Sequence, residues 1–239
     1  MNVEDIQYDN GNISRLEAVK KFISDFVAKN PYNNYALCIF AGESLRILPF
    51  TQDVSLFNTF LDGITNKNIS KNGTDFKDAF SSAFLNFTND KAGGTIITFT
   101  DGGDEKTNFS LPENIKRDKN IHFLTFGIGT EKGGYIPIGV DVFGEKIYKT
   151  YAGEMVISKL IQSNIENIAH IISGKYDFLS TFSDFSRLEK SISKSAKYSQ
   201  NEKQENEKSI KKECLILAFL FFVLYLFFLF LDKKLGKKS

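Results

Sequence analysis

The sequence predicts an α/β domain built on a doubly wound, mostly parallel, Rossmann-like sheet, with one C-terminal transmembrane helix added. Three observations predict it. Strand-like and helix-like segments alternate from residue 14 to about 172, the order that makes parallel sheets through helical crossovers. The strand-like segments are mostly continuous apolar runs, as in strands covered on both faces. A run without charge, Leu215–Leu231, follows a polar segment near the C-terminus.

Taken in order, Asn10-Gly11-Asn12 reads as a turn. Ser14 with Glu17 three residues later forms a capping-box pattern. Leu16, Val19, Phe22, Ile23, Phe26 and Val27 follow at helical spacing until Asn30-Pro31 stops the helix. Tyr35–Ala41 is an apolar run, hence a buried strand, and Ser44–Pro49 alternates like an edge strand in hairpin with it. Asp53 caps a helix with Leu56, Phe57, Phe60, Leu61 and Ile64 on one face. Gly73-Thr74-Asp75 closes a polar loop before a helix bearing Phe76, Ala79, Phe80, Ala83, Phe84 and Phe87.

Next comes the stretch around which the chain is organised, Gly93–Thr107. Its β-branched run Thr95–Thr100 stops on Asp101-Gly102-Gly103-Asp104. Asp101 thus falls just past a strand's C-terminal end, where open α/β sheets bind ligands. A plain Asp-Gly turn accounts for the segment equally well. Leu111–Lys119 reads as a short helix and Ile121–Phe126 as a second buried strand, closing on Gly127-Ile128-Gly129-Thr130. A Gly-rich loop or hairpin runs through Gly144, Ile147–Tyr151 suggests a last strand, and Glu154–Ile172 a helix. Phe178, Phe182, Phe185, Leu188 and Ile192 have the spacing of a further amphipathic helix, and Lys194–Glu213 is a solvated spacer. The predicted organisation is a domain over 1–172, a polar, partly helical spacer over 173–213, a transmembrane helix over 214–231 and a basic tail over 232–239.

Composition excludes several functions. Lys and Arg number 30 and Asp and Glu 29, so no global basic field points to nucleic acid. Cys38 and Cys214 are too few for a disulfide framework or a Cys-rich metal site and read as free thiols. His122 and His170, the only histidines, lie in no zinc or Ser-His-Asp setting. There is no phosphate loop of the G-x-x-x-x-G-K-[ST] type, and no enzymatic activity is expected. No secretory signal opens the chain. With Cys214 the uncharged run is 18 residues, roughly 27 Å of helix. That suffices to cross a hydrocarbon core of about 30 Å, with Lys211, Lys212, Lys233 and Lys234 at the ends.

Gly73-Thr74-Asp75 before a helix, Thr100-Asp101-Gly102 after a strand, Phe126–Thr130 after the next, and Arg15–Lys20 opening the first helix together resemble a von Willebrand factor A domain. With the C-terminal span, the chain is similar to the Bat-type bacterial membrane proteins. The resemblance implies a metal-ion-dependent adhesion site for Mg²⁺ or Mn²⁺, with Thr74 as the second-loop hydroxyl and Asp101 as the third-loop carboxylate. It implies protein partners, among them sibling A-domain proteins and a MoxR-type ATPase. It places the chain in the cytoplasmic (inner) membrane as a single-pass protein, with its domain extracytoplasmic in the complete parent. The function implied is metal-dependent protein–protein interaction in a bacterial envelope complex; a surface adhesin and a non-binding remnant are the alternatives.

The sequence departs from the family at one point. The D-x-S-x-S element that ends the family's first strand is absent. Met1–Ile6 resembles its continuation, so the fold is expected to lack its first strand, as in an N-terminally truncated copy. Metal binding is then expected to be weak or absent. The strands flanking the missing one, Tyr35–Ala41 and Thr95–Thr100, are expected either to leave open edges or to close up on each other.

Overall fold

The structure, a computed structural model, describes residues 1–87, 93–103, 109–113, 115, 120–190, 192 and 215. The chain divides into two compact units, Met1–Ser195 and Ala196–Ser239. Among the described residues no helix is long and apolar enough to cross a membrane. The span expected at Leu215–Leu231 lies outside them but for Leu215, as do the spacer over 193–213 and most of the helix expected at Leu111–Lys119.

The first unit is built on a parallel three-stranded sheet. Its central strand β6 (Ile121–Ile128) pairs on one side with β5 (Gly94–Thr100) and on the other with β13 (Lys175–Leu179), all running the same way. Their C-terminal ends therefore lie together. Helix α1 (Arg15–Lys29) begins where the capping pattern puts it: Ser14 Oγ accepts the Glu17 N–H at 3.1 Å. Its Ala18, Val19 and Phe22 pack with Leu124, Phe126 and Ile128, and with Ile97 and Phe99 beside them. Helices α3 (Phe76–Phe84) and α4 (Gln162–Ile171) bring Phe76, Phe80, Ile165 and Ile168 against Ile96, Ile121 and Phe123. Alternate residues of one strand point to opposite faces, so α1 covers one face of the sheet and α3 and α4 the other.

A separate antiparallel hairpin, β3 (Tyr35–Phe40) with β4 (Ser44–Thr51), is covered by α2 (Val54–Asp62). Its Leu37 and Leu48 pack with Phe57, Leu61, Ile64 and Val27. Leu56 and Phe60, expected on the same apolar face, are instead exposed. Asp53 and Asp75 cap α2 and α3 as the sequence implies. Asp78 of α3 ties the hairpin in place, its carboxylate accepting from both the N–H and the hydroxyl of Ser44 at 2.7 Å.

The structure corrects the sequence reading in four places. Two short strands precede α1: β1 (Ile6–Tyr8) and β2 (Gly11–Ile13) form a hairpin turning at Asp9, whose φ is +48°, so Gly11 and Asn12 are strand rather than turn. The helix expected from Glu154 begins only at Gln162. Ala152 and Gly153, with φ of +50° and +87°, fold β11 (Glu154–Met155) back on β10 (Thr150–Tyr151). The next pair, β12 (Ile157–Ser158), returns to β7 (Gly134–Tyr135). The strand expected at Ile147–Tyr151 is therefore split; its first part, β9 (Lys146–Tyr148), pairs with β8 (Pro137–Val140).

The domain also continues past 172. Gly174 lies so close to β6 that a Cβ there would stand 2.8 Å from the Phe123 carbonyl oxygen. That approach lays 175–179 beside β6, so Phe178 belongs to a strand and Phe182 to a 3₁₀ turn, and among the described residues the helix covers 185–190 and 192. Apolar spacing alone could not separate the strand, because residues 178, 182 and 185 fit the i, i+4, i+7 spacing of one helix face.

The fourth correction concerns the burial of β3 in the interrupted sheet. Of the two outcomes expected there, the edges of β3 and β5 stay open rather than closing up on each other. No pairing joins them, and a cavity of about 630 Å³ separates them, lined by residues of both. Most β3 residues are only half-buried, against the sequence expectation of a buried strand, whereas β6, flanked on both sides, is buried almost throughout.

Candidate functional site

The polar centre of the domain lies at the C-terminal end of the parallel sheet. Asp101, just after β5, carries one oxygen that accepts from Arg15 Nη1 at 3.0 Å and lies 3.5 Å from the Met1 α-ammonium. Arg15, the first residue of α1, has no exposed surface. Its Nε and Nη2 reach the two oxygens of Asp5 at 2.8 and 2.7 Å, a bidentate pair of the stronger kind. Its Nη1 and Nη2 also donate to the hydroxyl and carbonyl oxygens of Ser158 at 3.2 and 3.0 Å. Asp5, 6 % exposed, further accepts from the N–H and hydroxyl of Thr130 at 3.0 and 3.1 Å. Burial opposes the charge on Arg15, but the hydrogen bond to Asp5 and the fields of both carboxylates outweigh it and hold the guanidinium's pKa above its usual value.

Local sequence explains the placement. A cation at the first position of a helix is opposed by the helix dipole, so Arg15 needs its two carboxylates. Gly129, with φ of +131°, lets the backbone pass directly over the guanidinium: a Cβ there would lie 2.6 Å from Arg15 Nε. Gly102, with φ of +95°, likewise leaves room for Ile161, whose N–H donates to the Asp101 carbonyl oxygen at 3.0 Å, while Asn164 Nδ2 donates to Gly102 O at 2.9 Å.

The two residues singled out from the sequence, Thr74 and Asp101, both line the cavity. Thr74 is exposed and lies against Gly103, whose added Cβ would be 3.2 Å from Thr74 Oγ1. Asp101 is 21 % exposed. Sequence reasoning missed Asp5, Arg15, Thr130 and Ser158 as a unit. The available signal was Arg15 itself, a charge at i and i+4 spacing with the apolar Val19.

The residues present do not fit a resident divalent ion. Mg²⁺ takes six oxygen ligands in near-octahedral array. Here one exposed hydroxyl accompanies one carboxylate that already serves two cations. Among the described residues no group of three or more His, Cys, Asp or Glu could hold a metal.

Residues 4–103 match the family model described as von Willebrand factor type A domain. Fold and motif order agree with that match, and the domain has a von Willebrand factor A-like fold. Within that class it is similar to the Bat-type proteins. The crystal structure of the conserved hypothetical protein BatB from Bacteroides thetaiotaomicron superposes with a TM-score of 0.69 at 29 % identity, over 82 % of this chain and 93 % of that one. An aerotolerance-related membrane protein from Bacteroides fragilis gives 0.67 at 25 % identity, over 81 % and 91 %. An uncharacterized protein of Borreliella burgdorferi is 24 % identical over 223 residues, which are 90 % of this chain but 62 % of that relative.

Proposed function

We propose that the chain is a membrane-anchored A domain that binds protein partners in a bacterial envelope complex, without enzymatic activity of its own. The observation that carries this reading is the convergence of Thr74, Asp101 and Gly103 at the C-terminal end of the sheet, the place where open α/β sheets take ligands, in a fold similar to BatB and to an aerotolerance-related membrane protein. The charged groups there engage one another, which suits a preformed binding face more than acid–base chemistry. The test is affinity capture from bacterial envelopes with the full chain in detergent. Sibling A-domain proteins or a MoxR-type ATPase should be recovered, and Thr74→Ala should reduce their yield. Capture of host or matrix proteins alone would favour a surface adhesin instead.

Mg²⁺ or Mn²⁺, if bound, would be held by Thr74 and Asp101, and the Arg15 guanidinium and Met1 ammonium compete for the same carboxylate. Calorimetry is expected to show millimolar affinity or none, because an added dication must displace or tolerate two resident positive charges. Micromolar binding by this chain would overturn that expectation.

The anchor proposed at Leu215–Leu231 is tested by fractionation. The full chain should resist carbonate extraction, and deletion of 215–239 should release it. Release of the full chain by carbonate would remove the anchor from the reading.

A further inference from the structure

The hairpin of β8 and β9 ends in a turn of uncommon composition. Hairpin turns favour Gly, Asn and Asp, yet Asp141-Val142-Phe143-Gly144 puts two apolar residues at the tip. Val142 is 92 % and Phe143 88 % exposed, and neither belongs to a hydrophobic cluster among the described residues. The turn is nevertheless fixed. Asp141 Oδ1 accepts the N–H groups of Phe143 and Glu145, both at 2.8 Å. The Asp141 N–H donates to Glu145 O at 2.8 Å and the Gly144 N–H to Asp141 O at 3.2 Å. Gly144, with φ of +86°, supplies the left-handed residue that closes the turn. At the other end of the hairpin the Lys149 N–H donates to Ile136 O at 2.9 Å. Ile138 and Val140 of β8 are exposed too, so the apolar surface continues from the tip along one strand.

A Val-Phe pair held in water adds little to the stability of this domain. Apolar surface presented in this way marks a contact with another molecule. Charge decides between the occupants. Asp141 and Glu145 flank the pair, and the turn carries no cation. Lys146, the next residue, is ion-paired with Glu4. A loop that dips into an anionic bilayer surface needs free Lys or Arg beside its apolar residues, and here the flanking charge has the opposite sign. A two-fold contact between two copies of the hairpin would set the same acidic pair against itself. A protein pocket that is apolar inside and carries Lys or Arg at its mouth matches both features of the tip.

We propose that the β8–β9 tip is a plug. Val142 and Phe143 enter an apolar pocket on a partner protein, and Asp141 and Glu145 meet basic residues at its rim. An aromatic side chain seated in a pocket is a common anchor of such contacts. The plug uses none of Thr74, Asp101 and Gly103, so it is a second surface and does not rest on the function proposed for the first.

The test places a photoreactive benzoylphenylalanine at Phe143 of the full chain, in the cells that make it. Illumination should join it to one protein species, through a peptide that lines an apolar pocket beside Lys or Arg. Asp141→Asn with Glu145→Gln keeps the oxygen that holds the turn but removes both charges. The adduct should then fall about fivefold, as expected for two ion pairs at a wet rim. The urea midpoint of the full chain in micelles should not change, since all these side chains face solvent. Five results would overturn the proposal. Adducts with lipid alone make the tip a membrane contact. Adducts between copies of this chain alone make it a self-contact. Adducts spread over many proteins, or none, leave no specific pocket. A yield indifferent to the loss of both charges removes the basic rim. A lowered urea midpoint means that the turn serves the fold instead.

Discussion

Replacing Arg15 by alanine should be the most damaging single change at the polar centre, destabilising the domain by about 3–5 kcal/mol, the usual cost of leaving a buried charge unpaired. Arg15 is fully buried, and Asp5 is 6 % exposed. Without the guanidinium, Asp5 retains only Thr130, and Asp101 only the Met1 ammonium. A loss of this size is a large part of a domain's total of about 5–15 kcal/mol. Urea unfolding of the full chain in micelles would read it as a fall in midpoint at constant slope. The double variant Arg15→Met with Asp5→Asn removes both charges of the bidentate pair and should lose less than the two single changes summed. Additive losses, or a cost for Arg15→Ala below about 1 kcal/mol, typical of an exposed ion pair, would show that the pair is solvated.

Gly129→Ala should cost nearly as much, by a different route. The backbone there has φ of +131°, a conformation costing a non-glycine residue on the order of 1–3 kcal/mol. The new methyl group would also lie 2.6 Å from Arg15 Nε and 2.7 Å from Cζ. A planar guanidinium held by two carboxylates and Ser158 cannot move aside without breaking those bonds. The two substitutions should therefore be non-additive. In an Arg15→Ala background the clash is gone, and Gly129→Ala should cost only the backbone strain. Equal costs of Gly129→Ala with and without Arg15 would mean that the contact relaxes at no expense.

The sequence alone carried the helix starts and the order of motifs. Those signals are local. Ser14, Asp53 and Asp75 each cap a helix through a hydrogen bond to a residue three positions on, and Thr95–Thr100 is β-branched at every position but Phe99. Asp101 could be placed at the end of its strand because strand ends are local as well.

What only the tertiary structure decided was non-local. Arg15 meets Asp101 across 86 positions and Ser158 across 143, and no spacing rule links them. β13 could not be read because its apolar positions suit a helix equally, and only its pairing with β6 decides for a strand. The short hairpins over 134–158 were obscured because their pairing depends on positive φ at Ala152 and Gly153 and on the return of β12 to β7. The absent D-x-S-x-S element was legible from sequence, but its physical consequence was not. Whether β3 and β5 close up or stay apart is a matter of long-range pairing, and only the structure shows them in separate sheets.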